Sequence, residues 1–165
     1  MEKLEGGMNA PDIVLVEPEI PGNTGATART CAAIGARLHL VHPLGFRTDE
    51  AAVRRAGLDY WSLVEVCHHD TFESLEGALP DHQFILASTK GKRPYTEFDF
   101  TESCALVFGK ETAGLSDRIL RKYPDSVCRI PLRDDARSLN LSNAVAVLAF
   151  ECMRQRGFVG LKTQR

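Results

Sequence analysis

Residues 12–29 of the chain are Asp-Ile-Val-Leu-Val-Glu-Pro-Glu-Ile-Pro-Gly-Asn-Thr-Gly-Ala-Thr-Ala-Arg. The apolar run 13–16 is typical of a strand that is buried on both faces of a parallel sheet. The Pro- and Gly-rich segment 17–25 predicts a loop, and residues 26–35 predict a helix. A buried strand that leads through a loop into a helix is the repeating unit of α/β folds.

The same alternation of strand and helix signals continues along the chain. Further apolar runs predict strands at residues 38–42, 63–66, 84–87, 105–108 and 127–130. Helical patterns predict helices at residues 49–56, 71–79, 115–122 and 139–156. The last helix is apolar on nearly all faces between residues 144 and 150, so we expect it to be buried or covered by a partner. The alternation predicts an α/β fold with a mostly parallel sheet flanked by helices.

Length and composition indicate an ordinary globular protein. The 165 residues are 44% hydrophobic, which predicts one domain over residues 12–160, with a flexible N-terminal extension at 1–11 and a C-terminal tail at 161–165. The net charge of −2 gives no global basic field. Five widely spaced cysteines show no metal-ligand spacing, so we expect buried thiols in a reducing compartment. No signal peptide or long apolar stretch is evident, which predicts a cytoplasmic protein without membrane contact.

The segment 17–29 stands at a strand-to-helix junction, where free backbone N–H groups often hold anions. Its spacing is neither G-x-G-x-x-G nor a P-loop, which argues against a dinucleotide or nucleoside-triphosphate site. Asn23 is either a helix cap or a site residue, and Arg29 is either a surface arginine or a site residue. On a continuous helix, six residues would place these two side chains roughly 120° apart.

Two later segments also carry more polar and Gly residues than packing requires. In Leu-Val-Phe-Gly-Lys-Glu-Thr-Ala-Gly-Leu-Ser, residues 106–116, a strand leads into Gly109, where a ligand could approach the backbone, or where a plain turn needs glycine. Glu111 is either a site residue or a solvated turn carboxylate. Four short polar residues crowd the start of the last helix, where one cap needs one of them: Ser138, Asn140, Ser142 and Asn143.

Together, four segments resemble the motifs of the SPOUT superfamily of RNA methyltransferases, and within it the tRNA (cytidine/uridine-34) 2′-O-methyltransferases. They are E-P-E-I-P-G-N-T-G-A-T-A-R at 17–29, R-R-A-G-L-D-Y at 54–60, L-V-F-G-K-E-T-A-G-L at 106–115 and I-P-L-R-D-D-A-R-S-L-N-L-S-N-A-V at 130–145. The chain departs from the family at Lys110, where proline is usual, and at Ala113, where arginine is frequent.

The resemblance implies a C-terminal trefoil knot, a homodimer and an S-adenosyl-L-methionine site in the knotted loops, with no metal. The knot is an expectation that no sequence pattern predicts, since threaded chains are rare. By motif position, contacts to the cofactor are expected from Ala87, Gly109, Glu111, Ile130, Leu132 and Ser138. The resemblance also implies that Arg29 is catalytic, with Asn23, Ser138 and Asn140 as its supporting residues.

A tRNA substrate requires local basic surface, because the chain as a whole is slightly acidic. We expect RNA contacts from Arg29, Arg55, Lys90, Lys92, Arg93 and Arg154, although charge clusters are often plain solvated faces. Tyr60 and Trp61 could stack on an unpaired base. A catalytically inactive α/β module that binds RNA or a nucleotide is the alternative function. A small-molecule dehydrogenase is disfavoured by the absence of the glycine fingerprint.

Overall fold

The computed structural model describes residues 10–49, 51–52, 59–100 and 103–164. A seven-stranded parallel sheet runs through it in the order β3-β2-β1-β6-β4-β7-β5. The strands are β1 (Asp12–Val16), β2 (Leu38–Val41), β3 (Val66–His69), β4 (Gln83–Ala87), β5 (Arg93–Pro94), β6 (Cys104–Phe108) and β7 (Val127–Arg129). The predicted α/β class with a parallel sheet is confirmed.

Four helices whose bounds lie within the described residues connect and cover the strands. They are α1 (Pro21–Ile34), α2 (Phe72–Ala78), α3 (Asp117–Lys122) and α4 (Leu141–Gln155). Short 3₁₀ turns occur at Trp61–Leu63, Tyr95–Glu97 and Pro124–Ser126. Of the helix predicted at 49–56, residues 51–52 are helical, and Glu50 and residues 53–56 lie outside the described residues. Residues 1–9 of the predicted extension also lie outside them, while Ala10 packs against the core.

The helix α1 begins five residues earlier than predicted, at Pro21. A proline at the first helical position is favourable, because its fixed φ suits the helix and its missing N–H would have no partner there. The prediction of a loop through Gly25 was therefore wrong for residues 21–25. The helix ends at Gly35, whose φ of 74° is the left-handed conformation that glycine adopts without strain.

The third strand also differs from its prediction. It occupies Val66–His69 rather than 63–66, because these residues pair in register with β2, Leu38 opposite Val66 and Val41 opposite His69. Local apolar content favoured the earlier segment, but pairing with a neighbour decides where a strand lies. The two-residue edge strand β5 was not predicted.

Two apolar layers cover the faces of the sheet. One includes Ile13, Leu15 and Leu106 with buried residues of α1 and α4, and the other includes Val14 and Val107 with buried residues of α2 and α3. Of the two alternatives expected for α4, burial within the chain fails at Phe150, which is 45% exposed on the outer face, and cover by a partner stays a prediction. Four cysteines are buried as expected, whereas Cys67 is half-buried.

A buried polar network occupies the amino edge of the sheet. The Asp12 carboxylate accepts two hydrogen bonds from Arg37 at 2.7 and 2.8 Å and approaches His39 Nε2 at 3.2 Å and His82 Nε2 at 2.8 Å. Burial alone would raise the Asp12 pKa, but the hydrogen bonds and charges of His39 and Arg37 lower this pKa to about 2. The network therefore holds Asp12 as a buried carboxylate.

Candidate active site

A cavity of about 530 Å³ opens at the carboxyl edge of the sheet. It lies where β4, β6 and β7 end, against Ala87, Phe108 and Ile130. Ligands in parallel α/β sheets bind beyond the carboxyl ends of the strands, so the cavity has the usual position of a binding site. Its volume is within the range of small-molecule pockets.

The cavity is lined by residues that are far apart in the sequence. All six residues expected at the cofactor line it: Ala87, Gly109, Glu111, Ile130, Leu132 and Ser138. Asn23 and Asn140 line it as well, and Arg29 does not. The three polar segments singled out in the sequence therefore meet at one place, with Arg29 outside it.

A chain of hydrogen bonds connects these three segments. The Asn140 Nδ2 donates to Asn23 Oδ1 at 2.9 Å, and the Asn23 Nδ2 donates to Glu111 Oε1 at 3.2 Å. Asn140 also caps α4, since its Oδ1 accepts from the backbone N–H of Ser142 at 3.0 Å. These hydrogen bonds thus join the start of α4, the first turn of α1 and the loop after β6.

Asn23 can bridge in this way because it is not a cap. The N-cap of α1 is Ile20, which makes no side-chain cap hydrogen bond, and Asn23 is the third residue of the helix. The interpretation of Asn23 as a cap was therefore wrong. Glu111, from a distant loop, supplies the acceptors that this helix start lacks.

The Glu111 carboxylate accepts hydrogen bonds from the backbone N–H of Glu19 at 2.8 Å and of Ile20 at 3.0 Å. The contact is reciprocal, since the Thr112 N–H donates to Glu19 Oε2 at 3.0 Å. A carboxylate is favourable at a helix start, where N–H groups lack partners and the helix dipole is positive. The interpretation of Glu111 as a solvated turn carboxylate was wrong. It holds the loop before α1 against the loop after β6.

Gly109 lines the cavity, but the turn itself requires the glycine. A Cβ at Gly109 would lie 2.1 Å from the carbonyl carbon of Gly114 and from the nitrogen of Leu115. The turn closes tightly because the Gly114 N–H donates to the Lys110 carbonyl at 2.9 Å. Gly114 has a φ of 68°, so it also occupies a conformation that favours glycine. A side chain at Gly109 would meet this turn rather than a ligand.

Because α1 is continuous from Pro21, Arg29 and Asn23 are separated by roughly 120° around its axis, and of these two residues Asn23 alone lines the cavity. The Arg29 side chain is exposed, and its guanidinium carbon stands 4.9 Å from the centre of the Tyr60 ring. This distance is within the range of a cation–π contact. The structure therefore places Arg29 on the exposed surface of α1, outside the cavity.

The remaining basic residues expected at RNA are mostly paired with acids. Lys90 contacts Asp117 at 2.7 Å, Arg93 contacts Glu97 at 3.5 Å and Arg154 contacts Glu151 at 2.8 Å. Residues 88–96 contain no acidic residue, but in the fold Asp117 and Glu97 lie next to their basic side chains. Lys92 is exposed, and Arg55 lies outside the described residues. Lys90 also lines the cavity, which connects it to the site.

Within the described part of the chain, no three His, Cys, Asp or Glu residues are grouped as metal ligands. No described helix is long and apolar enough to cross a membrane.

Comparison with known proteins identifies the family. The family model described as the SpoU rRNA methylase family matches residues 11–150. The chain belongs to this family. It is 46% identical over 153 residues to a tRNA (cytidine(34)-2′-O)-methyltransferase of Burkholderia ambifaria, covering 90% of this chain and 97% of that protein. A protein of the same name from Aeromonas hydrophila is 44% identical over 150 residues, which is 90% of this chain and 96% of the relative.

Solved structures of family members have the same fold. One that concerns the 2-OH methylation of C/U34 on tRNA is 40% identical, with a TM-score of 0.85 over 92% of this chain and 99% of the other. A SpoU methyltransferase from Streptomyces viridochromogenes in complex with AdoMet is 25% identical, with a TM-score of 0.76 over 97% of this chain and 62% of the other. The expected SPOUT fold is thereby confirmed.

Proposed function

We propose that this protein transfers a methyl group from S-adenosyl-L-methionine to the ribose 2′-hydroxyl of nucleotide 34, cytidine or uridine, in tRNA. The observation that carries the proposal is the convergence of three family motifs on one cavity, joined through Asn140, Asn23 and Glu111. The relatives named as tRNA (cytidine(34)-2′-O)-methyltransferases match nearly their whole length, which supports the same substrate here.

The cavity suits S-adenosyl-L-methionine in its chemistry. Apolar side chains of Ile130, Leu132 and Leu141 offer walls for a flat aromatic base, and the ends of β4 and β6 offer backbone polar groups. Ser138, which is exposed on the cavity wall, offers a hydroxyl that both donates and accepts. The AdoMet bound to the Streptomyces relative supports this assignment.

The bound cofactor supplies an already activated methyl group, so the reaction requires alignment more than further activation. Alignment of reacting groups can contribute up to about 7–11 kcal/mol in favourable cases. The hydrogen bonds among Asn140, Asn23 and Glu111 hold together the start of α4, the first turn of α1 and the loop after β6, which border the cavity. These residues act on the reaction by holding the walls of the site, and no metal is part of the proposal.

Arg29 is proposed to bind the tRNA next to the reacting ribose. A guanidinium stays protonated in proteins, so a role as general base is unfavourable. Its position outside the cavity and its exposure fit a contact to a backbone phosphate, or to the oxygen that develops negative charge. Lys90, Lys92, Arg93 and Arg154 are proposed to extend this contact along the RNA, since phosphates can replace the carboxylates of exposed ion pairs.

We further propose that the enzyme works as a cytoplasmic homodimer whose chain forms the trefoil knot of its family. Three exposed apolar side chains support a protein partner. Ile20 is 49% and Leu139 is 38% exposed at the cavity, and Phe150 stands on the outer face of α4. Apolar side chains grouped beside a site are typical of an interface.

Nucleoside mass spectrometry tests the function. Unmodified tRNA is incubated with the protein and S-adenosyl-L-methionine that carries a labelled methyl group, and is then digested to nucleosides. The proposal predicts labelled 2′-O-methylcytidine or 2′-O-methyluridine. Cofactor binding in calorimetry without any labelled nucleoside would support the inactive binding module instead.

A further inference from the structure

Among the described residues, the Tyr60 ring is the one hydrogen-bonding, ionic or ring partner of the Arg29 guanidinium. The ring lies under the guanidinium carbon at 4.9 Å, and the side chain of Tyr60 is half-buried. Tyr60 does not line the cavity, so its contact with Arg29 is separate from the proposed cofactor site. The pair therefore lies outside the cavity, with Arg29 on the exposed side of α1.

The backbone of Tyr60 adjoins a turn that packs against the core. The carbonyl of Tyr60 accepts a hydrogen bond from the Leu63 N–H at 3.0 Å, which closes the 3₁₀ turn Trp61–Leu63. Trp61, the next residue, packs against the main apolar cluster together with Val64. A ring carried by an anchored turn is a firmer support than a flexible side chain on the surface.

A ring holds an arginine differently from a carboxylate. A carboxylate occupies the N–H groups in the plane of the guanidinium, as Glu151 does with Arg154 at 2.8 and 2.9 Å. A ring contacts the face of the guanidinium and leaves the in-plane N–H donors available. Arg29 is thus restrained while its donors stay available for a phosphate or a developing oxyanion.

We infer that Tyr60 is a positioning residue that holds Arg29 in the orientation used for methyl transfer to tRNA. This inference rests on the proposed function. The ring restricts the arginine before RNA arrives, so that less side-chain entropy is lost when the guanidinium binds. The hydroxyl of Tyr60 is not part of the mechanism, and phenylalanine should replace tyrosine there.

The test compares two variants of Tyr60 and a matched control. Tyr60→Leu should lower kcat by about 10-fold, within the range of a cation–π contact, and leave KM for S-adenosyl-L-methionine unchanged. Tyr60→Phe should retain nearly the full kcat. Tyr95→Leu serves as the control, because Tyr95 is also half-buried and also stands at a 3₁₀ turn. It should leave kcat unchanged.

A double-mutant cycle separates the possible roles of the ring. If Tyr60 acts through Arg29, Tyr60→Leu should have no further effect in an Arg29→Ala background. Equal losses of kcat in both backgrounds would overturn the inference and indicate that Tyr60 stacks on an RNA base. A kcat of Tyr60→Leu equal to that of the unsubstituted protein would also overturn it. Absence of methyl transfer by the unsubstituted protein would instead refute the proposed function.

Discussion

The two edges of the parallel sheet both carry hydrogen-bonded polar networks, but the networks differ in what surrounds them. At the amino edge, Asp12 is 5% exposed and is engaged by Arg37, His39 and His82. At the carboxyl edge, Glu111 and Asn140 border a cavity of about 530 Å³. The amino-edge network is packed into the protein, and the carboxyl-edge network borders open space.

The difference indicates a division between stability and function. A buried carboxylate must keep its partners, because an unpaired buried charge is strongly destabilising. A network that borders a cavity instead fixes the shape of a binding site. Substitutions at the amino edge should therefore lower the free energy of unfolding, and substitutions at or beside the carboxyl edge should lower methyl transfer.

The largest expected effect is at Arg29, on the helix that starts at the carboxyl edge. Arg29→Ala should lower the single-turnover rate of methyl transfer by roughly 10²–10³-fold, the scale of one lost electrostatic contact in a transition state. Calorimetry should show unchanged binding of S-adenosylhomocysteine, since Arg29 does not line the cavity. Arg47→Ala removes another exposed arginine as the control and should have no effect. Full turnover in Arg29→Ala would show that Arg29 is an ordinary surface residue.

At the amino edge, Asp12→Asn should lower the free energy of unfolding by about 3 kcal/mol, because it leaves Arg37 without its charged partner. Urea unfolding measures this change. The rate of methyl transfer should remain unchanged at a temperature where the variant is folded. Glu73→Gln, which removes an exposed carboxylate paired with Arg118, is the control and should change stability far less. Equal effects of the two substitutions would contradict the importance of burial.

Acid should weaken the same network. The pKa of Asp12 is about 2 in the folded protein and about 3.9 in an unfolded chain, so the unfolded state binds more protons between these values. The contribution of Asp12 is therefore fully present above about pH 4 and is lost as the pH falls towards 2, an effect of roughly 2 kcal/mol. The difference in free energy of unfolding between the unsubstituted protein and Asp12→Asn, measured between pH 5 and 2, should therefore narrow by roughly 2 kcal/mol as the pH falls. A constant difference between them would contradict the assignment.

A smaller effect is expected at Glu111. In Glu111→Gln, one of the two oxygens that accept from Glu19 and Ile20 becomes an NH₂ group that faces an N–H donor. The loop before α1 should shift, and the affinity for S-adenosylhomocysteine should fall by about 10-fold, as for one hydrogen bond to a charged group. Calorimetry measures the affinity, and unchanged binding would show that the loop is held without Glu111.

The sequence predicted the features that depend on neighbours along the chain. Continuous apolar runs predicted β1, β4 and β6 within one residue. The position of β3 was missed, because it depends on pairing with β2 rather than on its own apolar residues.

The contacts of the site depend on distant residues, and local patterns do not specify them. Glu111 contacts Glu19 across 92 positions of the sequence, so nothing near either residue indicates the bond. Lys90 meets Asp117 across 27 positions, which is why a stretch without acids is paired in the fold. The need for glycine at position 109 likewise arises because the backbone of Gly114 and Leu115 packs directly against it. The resemblance to family motifs, rather than the periodicity of the sequence, predicted the residues that line the cavity.

Methyl transfer to anticodon stem-loops that differ in one ribose is the most direct test of the central claim. Two RNAs of the same sequence carry either ribose or 2′-deoxyribose at nucleotide 34, and labelled methyl incorporation is measured for both. We expect methyl transfer to the ribose substrate and none to the 2′-deoxy substrate. The affinity of the enzyme for S-adenosylhomocysteine should be the same in the presence of either RNA. Equal incorporation into both RNAs would contradict methylation of the 2′-hydroxyl at that nucleotide.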